Sequence, residues 1–258
     1  MKNSEWGACA YLGKSQYGLG NTEIAINNVT LNSGSTARTS DNGKTGVESV
    51  YAVTGVTSGN ANSEPNIIDK SVAKEFAVNI SNAIRDTAVN GAYAWNQSSG
   101  IASSTTGTIY GVYDMSGGTW ERTAAYINTP NDNENLSGYG SSVFNDKNER
   151  KAISTKYTTI YPHGEEDTSN IDTSSETNWI ENKNTKKIYG DAVLETSTQG
   201  TGFYSWNNDY SYYPALDNPF FHRGGYWSDC GFTGAFAFYY DYGGSYYNIG
   251  FRTVLVVV

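Results

Sequence analysis

Basic side chains are scarce in this chain. Its 17 Lys and Arg stand against 26 Asp and Glu, giving a net charge of −9 and a pI near 4.7. That balance argues against nucleic acid as a partner, because phosphate binding needs clustered cations. Cysteine is limited to Cys9 and Cys230, too few for a disulfide framework or a four-ligand zinc site. Both are read as small buried thiols. Histidine is limited to His163, in a polar stretch, and His222, with no catalytic signature around either, so neither is expected to act as a general base. No run of eighteen apolar residues occurs, so no helical membrane span is expected. Met1-Lys2 leads straight into polar Asn3-Ser4-Glu5, which does not read as a signal peptide.

What is abundant is glycine and tyrosine, 28 and 21 of the 258 residues. This points to one loop-rich domain, spanning residues 1–258, around an aromatic core. Residues 4–14, SEWGACAYLGK, predict a short helix capped by Asn3 or Ser4, burying Trp6 and Ala10 and ending near Gly13. Residues 69–85 place Val72, Phe76, Ile80, Ala83 and Ile84 at helical spacing and predict a second helix. From about residue 107 short β-like runs such as TIYGVYDM take over. Residues 128–200 are polar and read as long surface loops or an insertion. The closing TVLVVV, residues 253–258, predicts a strand buried on both faces. Together these give an α+β fold with short antiparallel strands and about two helices.

Several motifs fall short. Gly13-Lys14-Ser15 ends like a phosphate-binding loop, but the upstream glycine it needs is Ala8 and no strand precedes it. The acidic stretch Asn131–Asn135 lacks the spaced carboxylates of a calcium loop. Trp206-Asn207-Asn208-Asp209 is read as a turn. In DMSGGTWE, the pair Gly117-Gly118 predicts a tight turn delivering Trp120 to the core.

The most informative stretch is the last. Between residues 226 and 249 there are six tyrosines, with small residues and a few Asp, Ser and Asn, and no Lys, Glu, Gln, Met or His. Tyr gives large contact area at low entropy cost and small polar residues give adaptable hydrogen bonds, which is how antibody paratopes are composed. The run Tyr239-Tyr240-Asp241-Tyr242 does not alternate and Gly243-Gly244 follows it, so it is read as surface. Phe236 and Phe238, at i, i+2, are read as core.

The stretches YGVYDMSGGTWERTAAY, HRGGYW and GFR, with the opening KNSEWGACAYLGKSQYG, resemble the formylglycine-generating-enzyme/sulfatase-modifying branch of the C-type lectin fold. More closely, ASSTTGTIYGVYDMSGGTWE and the segment from GDAVLETS through RGGYWSDCGFTGAFAF to GFRTVLV resemble the variable proteins of diversity-generating retroelements, found in phages and prophages. Mutagenesis at template adenines in AAC or AAT codons cannot yield Lys, Glu, Gln, Met or Trp. Within 226–249 only Trp227, whose codon holds no adenine, departs from that set. The resemblance implies a C-type-lectin-like domain whose residues 222–254 form a variable, ligand-binding segment. The implied ligand face is Tyr226, Ser228, Asp229, Phe232, Tyr239, Tyr240, Asp241, Tyr242, Ser245, Tyr246, Tyr247 and Asn248. Arg223, Gly224, Gly225, Trp227, Gly250, Phe251 and Arg252 would fix the backbone, with both arginines bonding loop carbonyls or acids.

The implied role is binding without chemistry, with no metal or cofactor, by a protein displayed on a phage tail or a bacterial surface. Its partner would be a target-cell surface protein or glycan. The alternatives are an oxidase of the formylglycine-generating type, whose copper would need a cysteine pair where Cys230 stands alone, or a calcium-dependent sugar-binding lectin, whose sugar loops are missing. The family's usual strand before the E-W helix is also missing, so an upstream segment or a neighbouring subunit is expected to supply it. A display surface further predicts that Tyr239, Tyr242 and Tyr246 tolerate truncation, whereas Trp120 and Trp227 do not.

Overall fold

A computed structural model describes residues 1–24, 26–27, 49–50, 101, 103–128, 136–143, 156–165, 171–226, 233–246 and 248–254. The helix expected over 69–85 and the acidic stretch 131–135 lie outside these residues.

The first helix, α1 (Asn3–Lys14), follows its sequence pattern. Glu5 accepts the Lys2 N–H at 2.7 Å, satisfying one of the open donors of the first turn, and Lys14 carries a positive charge in the last turn. Asn3, Trp6, Ala10 and Gly13 form the buried stripe. The cap is Lys2, not Asn3 or Ser4. Asn3 turns inward instead, its amide donating to Tyr161 Oη at 2.9 Å while its oxygen accepts from Thr123 Oγ1 at 2.6 Å. Trp6 Nε1 donates to the Ala235 carbonyl at 2.7 Å, tying the helix to the sheet.

Two short strands, β1 (Ile26–Asn27) and β2 (Ser49–Val50), pair in parallel. The main sheet has seven strands: β3 (Trp120–Ile127), β4 (Thr159–Tyr161), β5 (Thr201–Gly202), β6 (Ser211–Tyr212), β7 (Phe220–Gly224), β8 (Gly234–Asp241) and β9 (Ile249–Phe251). Their order is β4-β3-β7-β8-β6-β5. One edge of β3 pairs antiparallel with β7; the other is divided between β9, at Trp120–Arg122, and β4, at Ala125–Ile127, both parallel. β6 is also parallel to β8. The sheet is therefore mixed rather than made of antiparallel strands only, within a mixed α and β architecture of few helices.

The stretch 128–200 is more than surface loops. It contributes α2 (Gly138–Ser141), β4, α3 (Ile171–Glu181) and a π-turn over Asn182–Lys186, and it places Tyr161, Trp179 and Val193 in the core with Phe221 and Phe238. Polar side chains hide this role because some of them are buried and bonded. Asn178 accepts the Gly164 N–H at 2.8 Å and donates to the Pro214 carbonyl at 3.1 Å. A second core cluster joins Trp6, Ala10 and Met115 to Ala235 and Phe236, in line with the core reading of Phe236 and Phe238.

One strand expectation fails, and the described start of another is not a strand. TIYGVYDM forms turns with a single bridge, Ser104 to Tyr113, because Gly107 and Asp114 take positive φ of 63° and 56°. In TVLVVV, Thr253 and Val254 follow β9 as exposed, non-strand residues, and 255–258 lie outside the described residues. Gly117 and Gly118 do make the predicted turn, with φ of 80° and 75°, and Trp120 follows at 8% exposure.

Candidate ligand-binding surface

The frame beneath the surface is set by two arginines. Arg252 donates from Nη1 to the Tyr113 carbonyl at 2.8 Å and from Nη2 to the Asp114 carbonyl at 3.0 Å, and both Nε and Nη2 also reach the Glu121 carboxylate. Arg223 is fully buried and donates to the Ala192 carbonyl at 3.1 Å. Burial lowers its pKa to about 10, against the pull of Asp191, so it stays charged near neutrality. Trp6 contacts both guanidinium groups, each centred 5.8 Å from its ring. Gly224 and Gly225 take φ of 87° and 78°, and a Cβ on Gly225 would lie 2.4 Å from Thr233 Cγ2. Phe251 does not belong to this frame. It is 74% exposed, because β9 turns its side chain outward. Trp227 lies outside the described residues.

On this frame lies a continuous array of aromatic rings. Tyr239 and Tyr240 lie near the end of β8 opposite His222 and Phe221. Their rings stack at 4.4 Å, and Tyr239 also stacks on Tyr210 at 5.5 Å and contacts Tyr212 at 5.6 Å and Trp120 at 5.7 Å. Phe203 extends the array from Tyr210 at 5.0 Å. Offset and edge contacts of this kind suit the ring quadrupole. Phe203 and Tyr204 are 41% and 49% exposed, while Tyr210, Tyr212, Tyr239 and Tyr240 are half-buried. Burial, with the neighbouring Tyr240, raises the Tyr239 pKa, so the phenol stays neutral.

Phe203, Tyr204, Tyr210 and Tyr212 were not among the residues expected at the surface. The signal was present: FYSWNNDYSYY has the same Tyr, Ser, Asn and Asp composition as the C-terminal segment. Only the parallel pairing of β6 with β8 brings the two together.

The expected ligand residues divide. Ser245 and Tyr246 are exposed, Tyr246 at 45%, and Tyr226, Tyr242 and Asn248 are half-buried. Tyr242 packs against the small cluster of Tyr126, Leu136 and Phe220. Tyr239 and Tyr240 belong to a strand rather than to a loop, because β8 continues through Asp241 before Gly243 turns the chain at φ 87°.

Asp241 does not lie on the exposed surface. It is buried, its Oδ2 accepting from Arg122 Nε at 2.8 Å and the Gly243 N–H at 3.0 Å, and lying 3.2 Å from His222 Nε2. Burial pushes its carboxyl up, but His222 and Arg122 together hold it below the usual range. Burial lowers the His222 pKa, so its imidazole is neutral near pH 7. Ser228, Asp229, Phe232 and Tyr247 lie outside the described residues.

The Trp206–Asn208 turn is a short 3-10 segment with positive φ at Asn207 and Asn208, and Asp209 faces inward, accepting the Phe236 N–H at 2.9 Å. Cys9 is half-buried, and burial raises its thiol pKa. Among the described residues, no three His, Cys, Asp or Glu side chains cluster as a metal site, and no helix is long and apolar enough to cross a membrane. No protein-family model, curated protein or solved structure matches this chain.

Proposed function

We propose that this chain is a non-enzymatic binding protein, with a C-type-lectin-like fold of the formylglycine-generating-enzyme type, diversified by a retroelement and displayed on a phage tail or a bacterial surface. The observation that carries this reading is the aromatic array running from Phe203 and Tyr210 to Tyr239 and Tyr240, with exposed Ser245 and Tyr246 beyond it. Rigid aromatics with short polar neighbours supply contact area at low entropic cost. Binding energy in such surfaces concentrates on a few Tyr, Trp and Arg anchors. The partner in this reading is a protein or glycan of a target-cell surface. Asp241 drops out of the proposed ligand face, and Phe203, Tyr204, Tyr210 and Tyr212 enter it.

The retroelement part is tested by sequencing the locus. A neighbouring reverse transcriptase gene and a near-copy of the 222–254 coding segment, differing only at adenines, are expected. A locus with neither sinks that part of the proposal. The binding part is tested by cell-surface capture with the purified protein and a Phe203→Ala/Tyr210→Ala variant, in which capture should fall while the fold, read by circular dichroism, is kept.

A further inference from the structure

The connection from β8 to β9 is held in place by residues outside it. Arg122, on β3, donates from Nε to Asp241 Oδ2 at 2.8 Å and from Nη2 to the Gly244 carbonyl. Ser137 Oγ also donates to the Gly243 carbonyl, and the Ser137 N–H donates to the Tyr242 carbonyl at 3.2 Å. Beyond this base Tyr242 and Tyr246 are joined hydroxyl to hydroxyl, and Ser245 and Tyr246 face solvent.

We infer that Arg122 is a positioning residue of the recognition surface: its guanidinium locks the backbone of residues 241–244, so that the side chains beyond are presented on a preformed loop. The inference rests on the binding role proposed above. A planar guanidinium holds two acceptors at once in fixed directions, which a lysine ammonium cannot do. The acceptors are a buried carboxylate and a main-chain carbonyl, so the clamp is independent of the side chains at 245 and 246. A loop already ordered before binding loses less entropy when it binds. The groups facing Asp241 are Arg122, His222 and the Gly243 N–H. With His222 neutral and Asp241 ionised, the clamp does not change charge near neutral pH.

The test compares wild type with Arg122→Lys and Arg122→Ala. Amide hydrogen exchange at Gly243, Gly244 and Ser245 should quicken by about tenfold or more in Arg122→Ala while β7 amides keep their rates. Arg122→Lys should restore the Asp241 contact but not the second donor, and so give intermediate values.

In a second arm, libraries randomised at Ser245 and Tyr246 are built on wild type and on Arg122→Lys and selected by cell-surface display against lysozyme as the probe. Binders from the wild-type scaffold should be about tenfold tighter. Wild-type exchange rates at Gly243, Gly244 and Ser245 in Arg122→Ala would overturn the inference. So would faster exchange spread evenly over the whole sheet, which marks general destabilisation, or equally tight binders from both scaffolds. A failure of both scaffolds to give binders would count against the binding role itself, and the exchange data would still decide the clamp.

Discussion

Gly140 and Gly243 meet backbone to backbone: a Cβ on Gly243 would lie 2.3 Å from the Gly140 Cα, and one on Gly140 would lie 2.5 Å from the Tyr242 carbonyl oxygen. Gly243 also holds φ at +87°, where an L side chain is strained. The contact docks the turn after β8 on α2. Gly243→Ala should therefore cost about 3 kcal/mol, combining the strain of the left-handed region with overpacking. Gly140→Ala should cost about 1–3 kcal/mol through overpacking alone. Ser245→Ala, exposed in the same loop, should stay within about 0.5 kcal/mol. Urea unfolding of the three variants gives the ranking; equal midpoints would show that the turn is not docked.

The tyrosines should not behave alike. Tyr246 is 45% exposed, and Tyr246→Ala should change stability by less than about 0.5 kcal/mol. Tyr239 contacts four rings, those of Trp120, Tyr210, Tyr212 and Tyr240, and Tyr239→Ala should cost about 1–2 kcal/mol. Trp120→Ala should cost about 3–4 kcal/mol, as for a buried aromatic. This revises the expectation that Tyr239 can be truncated freely, because strand β8 makes it part of the packed array. Thermal melts of the single variants check the order, and a Tyr239→Ala melt equal to wild type would show that the array carries no packing energy.

Where the sequence was informative, the forces were local. Trp6 and Ala10 fall on one helical stripe, Phe236 and Phe238 are both buried along β8, and Gly117 and Gly118 take positive φ in a tight turn. Where it was not, the partner lay far along the chain. Asp241 reads as a surface residue until Arg122, 119 positions away, is placed against it. The helix Ile171–Glu181 has little apolar periodicity, and among its described side chains Ser175, Asn178 and Trp179 are buried. The surface itself was half legible: its C-terminal part stood out by composition, whereas Phe203, Tyr210 and Tyr212 join it only through pairing with β8.

Binding in this reading needs no metal. A bound ion that holds only the native state would raise stability by mass action, and its removal would lower it. EDTA should therefore leave the melting temperature unchanged, and added calcium or copper should not raise it. A chelator-induced fall of several degrees would return the calcium-lectin or copper-oxidase alternative to consideration.

Acidity should act in part through Asp191, which is buried against Tyr161 and near Arg223. Burial raises its pKa to about 6, although the Tyr161 hydroxyl and the Arg223 guanidinium pull it down. The folded value therefore lies above the unfolded one, about 3.9. The native state holds the extra proton between these values, so the Asp191 contribution is full below about pH 4 and is lost as pH rises through about 6. His222 works the other way. Burial lowers its folded pKa, so its contribution is present above the unfolded value of 6.5 and is lost as pH falls.

Comparing wild type with Asp191→Asn cancels the histidine and leaves the carboxylate alone. Wild-type stability relative to the variant should fall by about 2–3 kcal/mol between pH 4 and pH 7, the free-energy equivalent of the displaced pKa. Urea unfolding at half-unit pH steps measures that difference. Parallel curves for the two proteins would mean that Asp191 titrates at its unfolded value, and that the Tyr161 and Arg223 contacts offset its burial in full.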